Sequence, residues 1–185
     1  MDRPAGRSCR KFLPPVRLKS PLHASRNGWE TIINIFNEAV AAGIATDESK
    51  PITVADREEW FAQFDDRHPL WVITSDGKVS GWCALEYFST HPAYTDTAEI
   101  AIYIHHGAHR QGLGRRLLAF ADQQIKEELH FKTVVAYIYE RNQASQGLFK
   151  QSGFEYWGHL PAIAKVAGEY RELKIYGKNY PSVRV

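Results

Sequence analysis

Cysteine is almost missing from this chain, which carries only Cys9 and Cys83. One sits in a polar tail and the other in a strand-like apolar run, so no structural disulfide is expected and a reducing, cytoplasmic setting is the default. Cys83 reads as a small buried strand residue rather than a nucleophile. There is also no apolar run near the roughly 20 residues that span a bilayer as a helix, and no apolar signal-peptide core. Neither sign of charge dominates: 23 Lys and Arg stand against 21 Asp and Glu, a formal net charge of +2. That balance gives no argument for a nucleic-acid or membrane partner. No internal repeat and no low-complexity segment occurs. The eight histidines are scattered. The His105-His106 pair, read as strand residues, would point to opposite faces, so no metal site is expected. No Ser-His-Asp or Cys-His order argues for acyl-enzyme chemistry.

What is present fits one globular domain: 185 residues, 44% of them hydrophobic. Residues 1–15 carry Arg3, Arg7, Arg10 and Lys11 among Pro4, Gly6 and Pro14-Pro15; they read as a disordered basic arm, with a single domain over 16–180. Val16–Ser20 can form a first strand. Trp29, Ile32, Ile33, Phe36 and Val40 follow helical spacing, with a cap expected near Asn27 and a stop at Gly43. Thr53 with Asp56 three residues on is a capping-box arrangement for a second helix carrying Trp60, Phe61 and Phe64. Asp76-Gly77 between Leu70–Thr74 and Lys78–Phe88 signals a hairpin. A polar loop, Ser89–Thr97, leads to a central strand. After a long helix come a strand at Thr133–Tyr139, a short helix at Asn142–Ser152 stopped by Gly153, and strands at Phe154–Leu160 and Tyr170–Tyr176. The order β-α-α-β-β-β-α-β-α-β-β predicts an α/β fold with a mixed sheet: antiparallel hairpins at either end and a parallel pair joined by the long helix.

That central stretch, Ala98–Phe120, holds the strongest chemical signal. Ile100, Ile102 and Ile104 alternate with Ala101 and Tyr103, as in a strand covered on both faces. Between it and the helix lies Arg110-Gln111-Gly112-Leu113-Gly114-Arg115. Glycines, basic groups and a helix N-terminus together make an anion site, although two glycines could equally serve only a tight turn. A dinucleotide fingerprint is excluded because Leu117 stands where its third glycine belongs. A Walker loop is excluded because no Gly-Lys-Ser/Thr follows.

Three segments in this order, Gln111-Gly112-Leu113-Gly114-Arg115, then Glu140-Arg141-Asn142-Gln143-Ala144-Ser145, then Leu148-Phe149-Lys150-Gln151-Ser152-Gly153-Phe154, resemble the GNAT superfamily of acetyl-CoA-dependent N-acetyltransferases. Pro92-Ala93-Tyr94 with Thr97-Ala98-Glu99, and Lys165-x-x-Gly168-x-Tyr170-x-Glu172, are similar to its phosphinothricin and methionine sulfone (sulfoximine) acetyltransferases. The resemblance implies a GNAT-type sheet with a splayed central parallel pair, and acetyl-CoA as co-substrate. It implies that main-chain N–H groups from Gln111 to Arg115, beside His109 and Arg110, hold the pyrophosphate, and that the backbone of Ile102, Tyr103 and Ile104 pairs with the pantetheine arm. Asn142 would reach the pantetheine or thioester, with Ser145 assisting; a plain helix N-cap explains Asn142 equally. His109 stands where the family usually has Gln or Arg, and Phe149 where relatives place a proton-donating Tyr or His. The acid would then be water, Tyr137 or Tyr139.

A protonated amine must lose a proton before it can attack a thioester. Glu99 opens the central strand, where desolvation raises a carboxyl pKa, and the resemblance makes it the base; on position alone a surface carboxylate reads as well. Direct attack would be assisted by an oxyanion-binding N–H near Ile104. The acceptor is expected at the loop before the strand: Phe88, Ser89, Thr90, His91, Tyr94 and Thr97. Subgroup members have arginines there for a carboxylate, and this chain has none, leaving Lys165 or His91 for that task. The reading is acetylation of a small, amino-acid-like primary amine by a homodimer. Its alternatives are a peptide or protein amine, or a coenzyme A-binding module without turnover. A nucleic-acid-binding role for the arm ranks last.

Overall fold

The structure of the protein, a computed structural model, describes residues 17–19 and 26–181, with side chains from residue 28 onward. The basic arm expected over residues 1–15 lies outside them. Among the described residues seven strands and four α-helices follow in the expected order: β1 (Arg17–Lys19), α1 (Arg26–Ala42), α2 (Glu58–Ala62), β2 (Leu70–Ser75), β3 (Lys78–Tyr87), β4 (Thr97–Ile104), α3 (Leu113–Gln124), β5 (Thr133–Tyr139), α4 (Gln143–Gln151), β6 (Glu155–Val166) and β7 (Glu169–Asn179). The described strands form one seven-stranded sheet in the order β1-β2-β3-β4-β5-β7-β6. Every pairing is antiparallel except β4 with β5.

Helices cover both faces. Ile32, Ile33 and Ile35 of α1 and Phe61 of α2 pack on Leu70, Val72, Trp82 and Ala84. On the other face, Leu113, Leu117, Leu118 and Ala121 of α3 and Phe149 of α4 meet Trp71, Cys83, Leu85, Ile100 and Val134. Leu117 is fully buried; truncating such a leucine to alanine typically costs about 2–5 kcal/mol.

Turn chemistry sets the hairpins. Asp76 and Gly77 both have positive φ, as a type I′ turn requires, and so do Ala167 and Gly168 between β6 and β7. Gly43 ends α1 at φ 67, its N–H donating to the Ala39 and Val40 carbonyls. Three expectations need correction. The helix already runs from Arg26, so Asn27 lies inside it instead of capping it. In the Thr53–Asp56 box it is Asp56 that accepts, from both the Thr53 N–H and hydroxyl. The last hairpin is longer than Phe154–Leu160 and Tyr170–Tyr176 suggest, because the register slips between Leu160 and Ala164 and pairing then resumes.

Candidate active site

β4 pairs with β3 from Ala98 with Tyr87 to Ile104 with Gly81. With β5 it pairs only at Thr97, Ala98 and Glu99. Beyond that point β5 leaves β4 but keeps its antiparallel pairing with β7, which runs from Thr133 through Tyr139. Among the described residues no strand pairs with the β5 side of Ile100–Ile104. A cavity of about 350 Å³ opens in the gap, walled by Ile102 and Tyr103 on one side and Tyr137 and Tyr139 on the other, with Asn142 and Ser145 also lining it.

The glycine turn lies beyond the end of β4. Arg110 (φ 60) and Gly112 (φ 76) both take the left-handed conformation. A side chain on Gly112 would meet nothing within 4 Å, so glycine is needed there for its backbone and not for space. Gly114 is different: a Cβ would come within 3.3 Å of Leu148 Cδ2, because α3 and α4 pack closely there. The first helical bond runs from Arg116 N–H to Gly112 C=O at 3.1 Å. The N–H groups of Leu113, Gly114 and Arg115 therefore point out of the helix end, which carries its positive dipole. The His109 ring bonds the Ile104 carbonyl at 2.9 Å and the Gln111 side chain donates to Gly107 C=O at 3.1 Å, so both brace the turn. Arg110 and Arg115 are exposed beside it.

Asn142 caps α4, its Oδ1 accepting from Ser145 N–H at 3.1 Å. The side-chain amide N–H groups make no bond among the described residues. His105 and His106 are not strand residues. β4 ends at Ile104, and Glu38 joins the two, touching the His105 ring at 2.7 Å and accepting from His106 N–H at 2.8 Å. Cys83 is fully buried, which pushes its thiol pKa up.

Glu99 stands where β4 and β5 part and lines the cavity. Burial first, and then the charges of Glu86 and Asp47, push its carboxyl up to about 7. Glu86 is its register partner on β3, accepts from the Trp60 indole N–H at 2.9 Å, and is itself raised by burial. Asp47 accepts from the Tyr139 hydroxyl. Arg57 lines the same space, bonded to Glu48 at 2.9 Å. Arg57, Trp60 and Glu86 are wall residues that the sequence reading missed; Asp47 belongs to the irregular loop 44–51 between α1 and α2, the kind of segment from which substrate walls are often built. The available signal was Glu86, a carboxylate within the otherwise apolar run Gly81–Phe88. Phe88, Ser89, Thr90, His91, Tyr94 and Thr97 do not line the cavity. The loop they form is closed on itself: Ser89 Oγ accepts from His91 N–H, and the His91 ring accepts from Ala93 N–H, each at 3.2 Å.

An α/β domain whose central strands part near a helix N-terminus offers an open strand edge and an anion site to an elongated, anionic ligand. The model of the Acetyltransferase (GNAT) family matches residues 29–154, and the chain belongs to that family. A Bacillus subtilis protein described as a candidate phosphinothricin acetyltransferase, YwnH, is 35% identical over 156 residues, covering 84% of this chain and 95% of its own. An L-methionine sulfoximine/L-methionine sulfone acetyltransferase of Pseudomonas aeruginosa is 29% identical over 157 residues, 83% of this chain and 90% of its own. A crystal structure of a candidate phosphinothricin N-acetyltransferase superposes with a TM-score of 0.83 at 33% identity, over 91% of this chain and all of the other. The acetyl-CoA complex of a Sinorhizobium meliloti phosphinothricin acetyltransferase shares the fold at a TM-score of 0.80 and 24% identity, covering 92% of this chain and 95% of the other. The family and the mixed-sheet fold anticipated from the motifs are thus those of the protein.

Proposed function

We propose that the protein transfers the acetyl group of acetyl-CoA to a primary amine of a small substrate by direct attack, with Glu99 as general base. The observation that carries this reading is the parting of β4 and β5 at a carboxyl held at about 7, with a glycine turn and a helix N-terminus beyond the far end of the gap. The open edge of Ile102, Tyr103 and Ile104 suits an extended pantetheine arm, which would bond to it as an added strand. The N–H groups from Gln111 to Arg115, with Arg110, Arg115 and His109 around them, suit a pyrophosphate. The unengaged amide N–H groups of Asn142, with Ser145 beside them, suit the arm near the thioester.

In the step itself Glu99 takes one proton of the ammonium, the neutral nitrogen bonds to the acetyl carbon, the carbon–sulfur bond breaks, and the nitrogen loses its second proton as the thiolate gains one. The leaving thiolate needs a proton, and Phe149 has none to give. Tyr139 already donates to Asp47. Tyr103 donates to the Ala45 carbonyl; Tyr137 is the wall tyrosine whose hydroxyl makes no hydrogen bond among the described residues, and we assign it as donor. The names of the relatives point to amino-acid-like acceptors of small size. We place the enzyme in the cytoplasm, as a homodimer. Among the described residues no helix is long and apolar enough to cross a membrane. Light scattering tests the dimer.

Release of free thiol from acetyl-CoA across a panel of amines, run beside thermal shift with coenzyme A, tests the whole reading. Stabilisation with turnover is expected. Stabilisation without turnover of any amine would leave a binding module, the reading favoured by Phe149, and absence of both would refute coenzyme A binding.

A further inference from the structure

Among the described residues one cation lines the cavity, Arg57, directly before α2. Its Nη2 donates to Glu48 at 2.9 Å, and its guanidinium carbon lies 5.5 Å from the centroid of the Phe36 ring. These contacts orient the group without using it up, for Nε and Nη1 make no hydrogen bond among the described residues. Glu48 does not line the cavity, and both members of the pair are about a third exposed, so Glu48 is a weak competitor for the charge. Three residues on, Trp60 donates to Glu86, the register partner of Glu99. The charge of Arg57 reaches Glu86 too, opposing the rise that burial imposes on its carboxyl. A guanidinium with donors to spare thus faces the same hollow as the base. The other candidate cations are placed elsewhere. His91 is bonded within its own loop, and Lys165 lies 5.5 Å from the Tyr170 ring centroid; neither lines the cavity. Arg67 is taken by Asp96 and the Thr95 carbonyl.

We infer that Arg57 is the specificity-determining residue for the acceptor, gripping its carboxylate bidentately and so selecting amino acids over amines that lack one. The inference rests on the acetyl-transfer reading and deepens it. A planar fork meets both oxygens of a carboxylate at once, which a lone ammonium cannot do. The acids of the lining do not oppose this arrangement. Glu99 faces the ammonium of the acceptor, Asp47 accepts from the Tyr139 hydroxyl, and Glu86 is drawn by burial toward its neutral form.

The test compares kcat/KM for a panel of α-amino acids, led by L-methionine sulfone, each beside its own carboxamide. The carboxamide keeps the amine and the side chain and loses the negative charge. Its amine is the less basic, which favours its attack near neutral pH, so a preference for the acid comes from binding. The acids are expected to exceed their carboxamides by about tenfold or more in the wild type, the scale of a hydrogen bond to a charged group. Arg57→Gln should bring that ratio close to one, chiefly through KM, while coenzyme A still stabilises the variant in thermal shift. Glu48→Gln removes the ion pair, keeps the guanidinium, and should leave the preference standing. Equal or better use of the carboxamides by the wild type, or a preserved ratio in a folded Arg57→Gln, would overturn the inference and leave acetyl transfer standing. Turnover confined to amines without a carboxylate would do the same. A ratio abolished as fully by Glu48→Gln would assign the effect to the ion pair and overturn the inference too. No turnover of any amine, with or without stabilisation by coenzyme A, would remove both.

Discussion

Replacing Glu99 by Gln should stabilise the protein in base and disable it at every pH. The folded carboxyl titrates at about 7 against 4.5 in a free side chain. Between those values the folded protein binds a proton that the unfolded chain has released, so this group's contribution to stability falls as pH rises through that window. At about 1.4 kcal/mol for each pH unit, the ionised carboxylate costs the folded state on the order of 3 kcal/mol above the window and nothing below it. That figure is an upper bound, because Glu99 opens onto a cavity that water can enter. Glutamine has no charge to bury. Urea unfolding of the wild type and the variant at about pH 4.5 and about pH 8.5 should show the variant gaining up to about 3 kcal/mol between the two conditions. Titrating groups remote from Glu99 cancel in that difference, and relief of its repulsion with Glu86 and Asp47 belongs to it. The same variant should lose about 10²- to 10⁴-fold in kcat, and the acidic limb of the wild-type kcat/KM profile near pH 7 should vanish. A stability difference that stays constant with pH would show that Glu99 is not a desolvated carboxylate, and an unchanged kcat/KM profile would remove it as base.

Three further expectations follow from single contacts. Tyr137→Phe should lower kcat by about tenfold or more with little change in coenzyme A affinity, as befits a proton donor; an unaltered kcat would give that task to water. Gly112→Ala should cost about 1 kcal/mol in urea unfolding and weaken coenzyme A binding by calorimetry, since the space is free but the φ of 76° disfavours a Cβ. Retained affinity would mean that the turn does not carry the anion. Gly177→Ala should be the more damaging of the two glycine changes, by about 1–3 kcal/mol, because its Cβ would fall inside the Trp157 ring. A variant of wild-type stability would show that the indole moves aside freely.

Periodicity served well wherever one element meets one neighbour. The α1 stripe of Ile32, Ile33, Phe36 and Val40, the Asp76-Gly77 turn and the Gly112 turn are each encoded within a few residues, and each stands where its pattern put it. In β4 the same method reached its limit. Alternation of Ile100, Ile102 and Ile104 reports an apolar strand, yet it cannot report that β5 leaves after Glu99. Ala98 and Ile100 are buried while Ile102 and Ile104 are only partly so. The walls were harder still: Asp47 lies in an irregular loop, Trp60 has the spacing of a core residue, and Glu86 is one acid in a strand. What makes them a site is that α2, β3 and that loop converge on the same hollow, and nothing in local spacing encodes convergence. The extension of β6 and β7 past Leu160 was hidden for a related reason, since Pro161 and Ala162 interrupt alternation before pairing resumes.

The gap beside Ile100–Ile104 also makes stability a matter of supply. A ligand that occupies it completes a sheet the chain leaves one edge short, and it binds only the folded form. By mass action such a ligand adds about 2.7 kcal/mol at a hundred times its dissociation constant. Melting temperature would then track the concentration of that ligand, and protease resistance at the mouth of the gap would rise and fall with it. A protein so built is more durable when its donor is abundant and more easily cleared when the donor runs low.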